Sequence, residues 1–296
     1  MLVVIVLNYN DYKTTIEFVN QIKEYSCVDN IIIVDNCSTD ESFNVLQGHF
    51  LYDKKITVLH TDKNNGYASG NNYGIKFALD KYKPSLVCIS NPDIIVKESV
   101  INELIGFSEE IGNFGVITSE IYDINDKRVS NFFWEIPTFF SSITSFLVVN
   151  KFRQKAYIKK KLKYKQKLKQ FEFIEVDAIP GCFFMADANA IFNVNLLDET
   201  TFLYGEETIL AYKLKNAGYK NYVLLGNKII HQHSVSINRT IKSESKKIDL
   251  MKQSRIIFLK NYLNISQFGL YLFRIMSQLQ KLELLIYQRF KGLLGQ

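Results

Sequence analysis

Short apolar runs alternate with stretches of helical periodicity through the first third of the chain. Leu2 to Leu7 is uninterrupted apolar sequence, the pattern of a central parallel strand whose two faces are both covered. It ends in Asn8-Tyr9-Asn10, and Asp11 then stands where it would cap a helix with Ile16, Val19, Ile22 and Tyr25 on its apolar face. Ile31 to Val34 reads as a second strand, terminated by Asp35-Asn36-Cys37-Ser38-Thr39-Asp40. Strand, helix, strand predicts a parallel pair with a right-handed crossover. A third strand, Ile56 to Leu59, is followed by a loop rich in amides and glycine, Asn64 to Asn72, and by a helix from about Gly70 to Tyr82. The fourth run, Leu86 to Ile89, lies between Pro84 and Asn91-Pro92. It must stop abruptly, because proline cannot donate to a ladder and restricts the residue before it. Asp93 is left just past a strand end.

The later sequence is less periodic. Glu98 to Phe107 reads as helix, Gly115 to Thr118 and Phe183 to Ala186 as strands, and Thr208 to Ala217 as a helix closed by Gly218. Tyr222 to Leu225 is another strand, and Ile229-Ile230 leads into His231-Gln232-His233-Ser234. Phe132 to Val149 is aromatic and apolar without a clear period. The whole predicts an α/β fold, with a Rossmann-like, mostly parallel sheet flanked by helices over residues 1–240 and a C-terminal helical extension over 241–296.

Composition narrows the class. At 296 residues, with 47% hydrophobic and 22% charged side chains, the chain has what a folded protein with a full core needs. Its four cysteines are far apart and form no CxxC pair, so neither a disulfide framework nor a zinc site is expected. Strand-like sequence from residue 2, with no charged leader before it, argues against a signal peptide, and no uncharged apolar run approaches the roughly 20 residues of a membrane span. The expected location is the cytoplasm, at most peripheral to the inner face of a membrane.

The candidate chemistry collects at the predicted strand ends. In an open α/β sheet, ligands bind in the crevice beyond the carboxyl ends of the strands. Asp35 is placed to accept hydrogen bonds from a nucleotide, or simply to close a polar turn. The usual GxGxxG turn after the first strand is missing, which removes the nicotinamide reading. The glycines and amides from Asn64 to Asn72 suit close backbone approach to a diphosphate beside a helix start. Asp93 either presents its carboxylate to the crevice or caps the helix opening near Lys97. Glu206 and Glu207 open a helix, where its dipole stabilises acids, and His231 is either structural or a metal or phosphate contact.

Taken in order, Asn8-Tyr9-Asn10, Asp35-Asn36-x-Ser38-x-Asp40, Asn64-x-Gly66-Tyr67-Ala68-x-Gly70-Asn71-Asn72, Asn91-Pro92-Asp93, Pro180-Gly181, Tyr204-Gly205-Glu206-Glu207 and His231 resemble glycosyltransferase family 2, in particular its bacterial rhamnosyltransferase-like branch. The resemblance implies a GT-A fold. It also implies inverting transfer of a sugar from a nucleoside diphosphate donor, dTDP-rhamnose or a UDP-hexose, to a hydroxyl of a growing, lipid-linked cell-surface polysaccharide. Asn8, Tyr9, Asn10, Asp35, Asn64, Gly66, Gly70, Asn72, Asn91, Gly181 and Glu206 would bind the donor. Asp93 and His231 would hold Mg²⁺ or Mn²⁺, and Glu207 would be the catalytic base. Asn91 stands where a strict DxD motif has its first acid, Ser69 where a glycine is frequent, and Glu207 where Asp is commoner. Two competing classes are weaker. A nucleotidyltransferase needs a basic, glycine-rich loop after the first strand, and an inactive sugar-nucleotide-binding subunit would lack the base or the metal acid.

The net charge of +6 is local, because residues 151–169 hold ten Lys or Arg and no acid and the remainder is net acidic. The run is either a solvated helix or, after the aromatic stretch before it, an insertion (136–170) that faces anionic lipid or the acceptor. No nucleic-acid motif accompanies it, so nucleic acid is not an expected partner. In the tail, Leu272, Ile275, Met276, Leu279, Leu282, Ile286, Phe290 and Leu293 recur at helical spacing, with Arg274, Lys281, Arg289 and Lys291 elsewhere on the helix. Such a stripe packs on its own domain or lies on a membrane.

Overall fold

The computed structural model describes residues 1–144, 148–232 and 244–278. Each apolar run that ends in a polar cluster is a strand of one ten-stranded sheet. β1 (Leu2–Asn8) is the pivot, with β2 (Asn30–Asp35) and then β3 (Ile56–His60) on one side and β4 (Leu86–Ser90) on the other, all parallel. Leu2 to Val6, Ile31 to Val34 and Val87 to Ile89 are buried almost completely, as strands covered by helices on both faces must be.

Beyond β4 the order departs from a parallel sheet. β9 (Phe183–Asp187) runs antiparallel between β4 and β6 (Val116–Tyr122), and β10 (Asn221–His231) lies parallel to β6. The two-residue β5 (Ile94–Ile95) pairs antiparallel with the end of β10. The edge is completed by β8 (Phe171–Val176) and β7 (Gln166–Leu168). The sheet is therefore mixed, because apolar runs such as Phe183 to Ala186 carry no signal for strand direction.

Helix boundaries and faces shift in ways with clear causes. α1 (Tyr12–Ile22) buries Thr15, Phe18, Val19 and Ile22, while Ile16 is only half-buried. α2 (Ser42–His49) follows β2. α3 (Tyr67–Lys81) starts three residues before the expected Gly70, directly after Gly66, whose φ of +100° cannot continue from strand into helix. Gly70 and Gly74 then lie inside α3. A Cβ at Gly70 would meet Leu7 Cδ1 at 2.4 Å and one at Gly74 would meet Ile5 Cγ2 at 2.8 Å, so both glycines let the helix press onto the sheet. Lys97, not Asp93, takes the N-cap position of α4 (Glu98–Ile111), which removes the capping reading of Asp93.

The aromatic stretch folds around Phe132 and Phe133, both fully buried, and continues into α5 (Phe139–Thr144). The basic run forms most of α6 (Val148–Lys163) and then enters β7. α7 (Ala188–Asn193) follows β9, and Asp187 caps it by accepting from the Ala190 N–H at 2.7 Å. α8 (Glu206–Asn216) ends beside Gly218, whose φ of +84° matches the glycine stop. α9 (Glu244–Asn261) and a helix over 267–278 share a small core of Leu259, Leu270 and Phe273, onto which Phe139 packs. On that last helix Leu272 and Ile275 point outward. The expected stripe is therefore not its buried face as far as residue 278. His233, Ser234 and the tail positions from Leu279 to Leu293 lie outside the described residues. Among the described residues, no helix is long and apolar enough to cross a membrane.

Candidate active site

A cavity of about 370 Å³ opens over the carboxyl ends of β1, β4, β6 and β10, and Tyr9, Asn64, Gly66, Asn91, Asp93, Gly181, Glu206, Glu207 and His231 all line it. Nine of the expected site residues thus meet in one place, although Tyr9 and His231 are more than 200 positions apart. Asn8, Asn10, Asp35, Gly70 and Asn72 do not line it.

The physical reasons differ. Asp35 is fully buried, and its four lone-pair positions are taken by Asn8 Nδ2 at 2.8 Å, Ser38 Oγ at 2.5 Å, the Ser38 N–H at 3.1 Å and His60 Nδ1 at 3.0 Å. It is the hub that fixes the turn after β2. Asn8 serves that hub and also accepts from Thr15 Oγ1 at 2.8 Å. Asn10, at a φ of +54°, accepts from the Thr39 N–H at 2.8 Å and so ties the turns after β1 and β2 together. Asn72 donates to the Leu197 carbonyl and to Glu199, and receives the Leu197 N–H. It anchors α3 to the segment after α7. Gly70 is a packing position.

At the β1–β3 end the wall is polar. Asn36 Nδ2 donates to Asn64 Oδ1 at 3.1 Å and to the Gly66 carbonyl at 3.2 Å, and Asn64 Oδ1 also receives the Gly66 N–H. Gly66 cannot be larger, since a Cβ there would stand 2.1 Å from the Phe202 carbonyl oxygen. The Tyr67 N–H donates to that same carbonyl at 2.9 Å. This contact ties the start of α3 to the loop that carries the glutamates.

In the middle, His231 Nε2 lies 3.2 Å from Asp93 Oδ1. The pairing of β5 with β10 and the Gln232 N–H donating to the Asp93 carbonyl at 2.9 Å hold both side chains in place. Burial alone would lower the imidazole pKa, but hydrogen bonds to Asp93 and Cys182 outweigh it and push it up to about 10. A carboxylate and an imidazole side by side are a donor set for a divalent ion, and metal binding would release the imidazole proton. Among the described residues no group of three or more His, Cys, Asp or Glu forms a protein-only cage. An ion held here would complete its shell from a bound molecule and water, the habit of Mg²⁺ and Mn²⁺ at phosphates.

On the far side, α8 begins with the acid pair. Glu207 Oε1 accepts from the Gly181 N–H at 3.2 Å, and Tyr67 Oη donates to the Gly181 carbonyl at 2.6 Å. Burial raises the Glu207 pKa, opposed by backbone N–H donors that include Gly181. Glu206 is only 2% exposed, and its Oε2 has no hydrogen-bond partner. Burial, with the neighbouring Glu207 charge second, pushes its pKa well above the ordinary value. Burial and the same two acids also keep the Tyr67 phenol protonated. Two adjacent carboxyls with raised pKa values, Glu206 more strongly than Glu207, are groups suited to proton transfer.

Sequence reasoning missed Tyr67 and Cys182 as individual contributors, and Trp134 altogether. Trp134 sits on the cavity wall because Phe132 and Phe133 bury beside it and its backbone pairs with Ala178. Its signal, the chain's single tryptophan in an aperiodic aromatic stretch, was visible but carried no address.

The model of glycosyl transferase family 2 matches residues 3–191. The chain belongs to glycosyl transferase family 2. It is similar to the low-salt glycan biosynthesis hexosyltransferase Agl10 of Haloferax volcanii, 26% identical over 205 residues, covering 69% of this chain and 59% of that one. It is also similar to the glycosyltransferase GlyG of Streptococcus pneumoniae serotype 4, 31% identical over 135 residues, covering 45% of this chain and 42% of that one. The chain spans about half the length of these curated relatives. Among solved structures, the mannosyltransferase PcManGT of Pyrobaculum calidifontis, in complex with GDP-Man and Mn²⁺, shares the GT-A fold with a TM-score of 0.59 at 12% identity, over 90% of this chain and 65% of that one.

The Glu206 carboxyl has a measurable signature. An unfolded chain releases this proton near the ordinary glutamate value of 4.5, whereas the folded protein keeps it to higher pH. The native state then binds more protons than the unfolded state above that value, so this group's contribution to stability falls as pH rises. Urea unfolding from pH 4 to 7 should show wild type losing stability relative to Glu206→Gln as pH increases. Parallel profiles for the two proteins would show that Glu206 ionises normally.

Proposed function

We propose that this protein is an inverting glycosyltransferase that moves a sugar from a nucleoside diphosphate donor, dTDP-rhamnose or a UDP-hexose, to a hydroxyl of a cell-surface glycan. The observation that carries the reading is Glu207, held by the Gly181 N–H on the wall of the cavity that also contains Asp93 and His231. Family membership, a hexosyltransferase relative and a fold neighbour with GDP-Man and Mn²⁺ support it.

The donor's nucleoside would lie toward the polar end, with Tyr9, Asn64 and Gly66 at the wall and Asp35 holding the turn behind. The diphosphate would then reach Asn91, Asp93 and His231. Inversion requires an acceptor hydroxyl oxygen to attack the anomeric carbon from the side opposite the diphosphate, through a transition state of oxocarbenium character. As the new C–O bond forms, the hydroxyl proton passes to Glu207, and the bond to the diphosphate breaks with its electron pair on the leaving oxygen. Asp93 and His231 would hold Mg²⁺ or Mn²⁺, whose charge offsets that of the leaving diphosphate when bound. Burial raises the basicity of Glu207, while the Gly181 N–H keeps its charged form accessible.

A lipid-linked acceptor finds support at one flank. Lys155, Lys159, Lys160 and Lys163 of α6 are exposed. Phe140, Phe152, Phe268 and Tyr271 are also exposed, on α5, α6 and the helix over 267–278. Packing of Phe139 against Leu270 and Phe273 joins α5 to that helix. Lysines among outward aromatics match an anionic headgroup layer, at about 1 kcal/mol per cation near the surface.

Glu207→Gln should leave the fold and donor affinity intact while lowering turnover by about 10²-fold or more, the range of lost general-base catalysis; unchanged nucleoside diphosphate release would remove Glu207 from the chemistry. Asp93→Ala should abolish the metal-dependent part of donor binding. Titration calorimetry with each candidate donor, with Mn²⁺ or with EDTA, would show equal affinities in both conditions for wild type if that assignment is wrong. In flotation assays the protein should prefer phosphatidylglycerol vesicles over phosphatidylcholine vesicles by about tenfold at low salt and lose the preference at high salt. Equal flotation with both would argue against membrane docking through this flank.

A further inference from the structure

The transfer chemistry leaves the chain's single tryptophan without a role. Trp134 lines the cavity and is fixed from two directions. Its backbone exchanges two hydrogen bonds with Ala178, each 3.0 Å, and its indole Nε1 donates to Thr208 Oγ1 at 3.1 Å. Thr208 immediately follows Glu207 in α8. The ring is therefore held in register with the candidate base.

Its chemistry restricts what it can recognise. The only polar atom of the indole is committed to Thr208, so the ring offers the cavity an apolar, π-electron surface. Ile121, Val129 and Leu203 are further apolar residues that line the cavity. Asn36 and Asn64 belong to the β1–β3 end, while Asn91 and Asn131 also line the cavity, Asn131 three positions before Trp134. Trp134 follows β6, on the other side of Asp93 in the strand order. A flat apolar surface beside a carboxylate matches a pyranose, which has an apolar C–H face and a hydroxyl edge.

We infer that Trp134 is the floor of an acceptor subsite, on which a pyranose of the acceptor stacks with its attacking hydroxyl turned toward Glu207. The assignment rests on the transferase reading above. It makes Trp134 a specificity-determining residue that binds the acceptor.

Because no other tryptophan is present, indole fluorescence reports this wall alone. Methyl glycosides of glucose, galactose, N-acetylglucosamine and rhamnose serve as probes, with acrylamide as quencher. At least one should protect Trp134 from quenching in the wild-type protein, and uridine diphosphate with Mn²⁺ should not. For a glycoside that accelerates nucleoside diphosphate release, Trp134→Ala should raise its KM about tenfold with kcat changed less than about threefold, the loss of one aromatic contact, while the donor KM stays put and Trp134→Phe recovers most of the affinity. An unchanged glycoside KM in a folded Trp134→Ala protein would overturn the inference. So would an active glycoside that gives no protection, a result that stands even where the alanine variant does not fold. Failure of every nucleotide sugar to be hydrolysed or transferred would sink the transferase reading instead. Glycoside protection of Trp134 would then still uphold a saccharide subsite, and its absence would refute that as well.

Discussion

Three distant parts of the chain are locked together at Gly181, and the site depends on that junction. The Tyr67 hydroxyl reaches the Gly181 carbonyl from the first residue of α3, and the Gly181 N–H reaches Glu207 in the first turn of α8. A Cβ at this position would lie 2.8 Å from Glu207 Oε1, so a larger residue at 181 would have to displace the end of the Glu207 side chain. A further bond, from the Tyr67 N–H to the Phe202 carbonyl, ties the start of α3 to the loop that leads into α8. Burial and the adjacent acids hold the Tyr67 phenol in its protonated, donating form.

The charge distribution in the cavity follows from the same framework. Glu206 and Glu207 are neighbours, yet α8 turns them into different environments. Glu207 has the Gly181 N–H to stabilise its charged form, while Glu206 Oε2 faces no donor. Two close acids in low dielectric cannot both ionise cheaply, and burial, with the Glu207 charge second, pushes the Glu206 pKa well above its ordinary value. Across the cavity, the Asp93–His231 pair brings opposite charges together, and its imidazole is the more basic for it.

Much of this was legible in the sequence, for identifiable reasons. Runs such as Leu2 to Leu7 and Leu86 to Ile89 announce buried strands because burial on both faces leaves no polar alternation to misread. Strand-terminal clusters announce the crevice because parallel strands deliver their ends to one edge. The direction of β9 was not legible, since Phe183 to Ala186 looks the same in either orientation. Asp35 and Gly70 were placed near the ligand by motif order, whereas the structure puts them in support of the site. Asp35 takes donors from Asn8 at the end of β1, Ser38 in the turn and His60 at the end of β3, and Gly70 is small so that α3 can approach Leu7. Trp134 carried no address in the sequence because its place is set by its backbone pairing with Ala178 and its indole bond to Thr208, long-range contacts that leave no periodic trace. Of the tail stripe's two alternatives, packing on the domain does not hold at Leu272 and Ile275, which face outward, while Leu270 and Phe273 make the contact with α9.

The antiparallel insertion of β9 brings a strand start and several strand ends to one rim of the cavity. In a wholly parallel sheet the switch point lies where the chain leaves β1 for strands on opposite sides, and the crevice there receives only strand ends. Here β4 ends at Ser90 opposite Phe183, the first residue of β9. An antiparallel strand begins at the edge where its parallel neighbours finish, so Gly181 and Cys182 enter the site from the same rim that Asp93 and His231 reach by leaving it. The β1–β3 side keeps its amides, and the β6 and β10 side gains the acid pair and Trp134. Asp93 sits at the seam between the two. A diphosphate held at that seam would have a nucleoside on one side and a reacting sugar on the other, which is the geometry that displacement at an anomeric carbon demands.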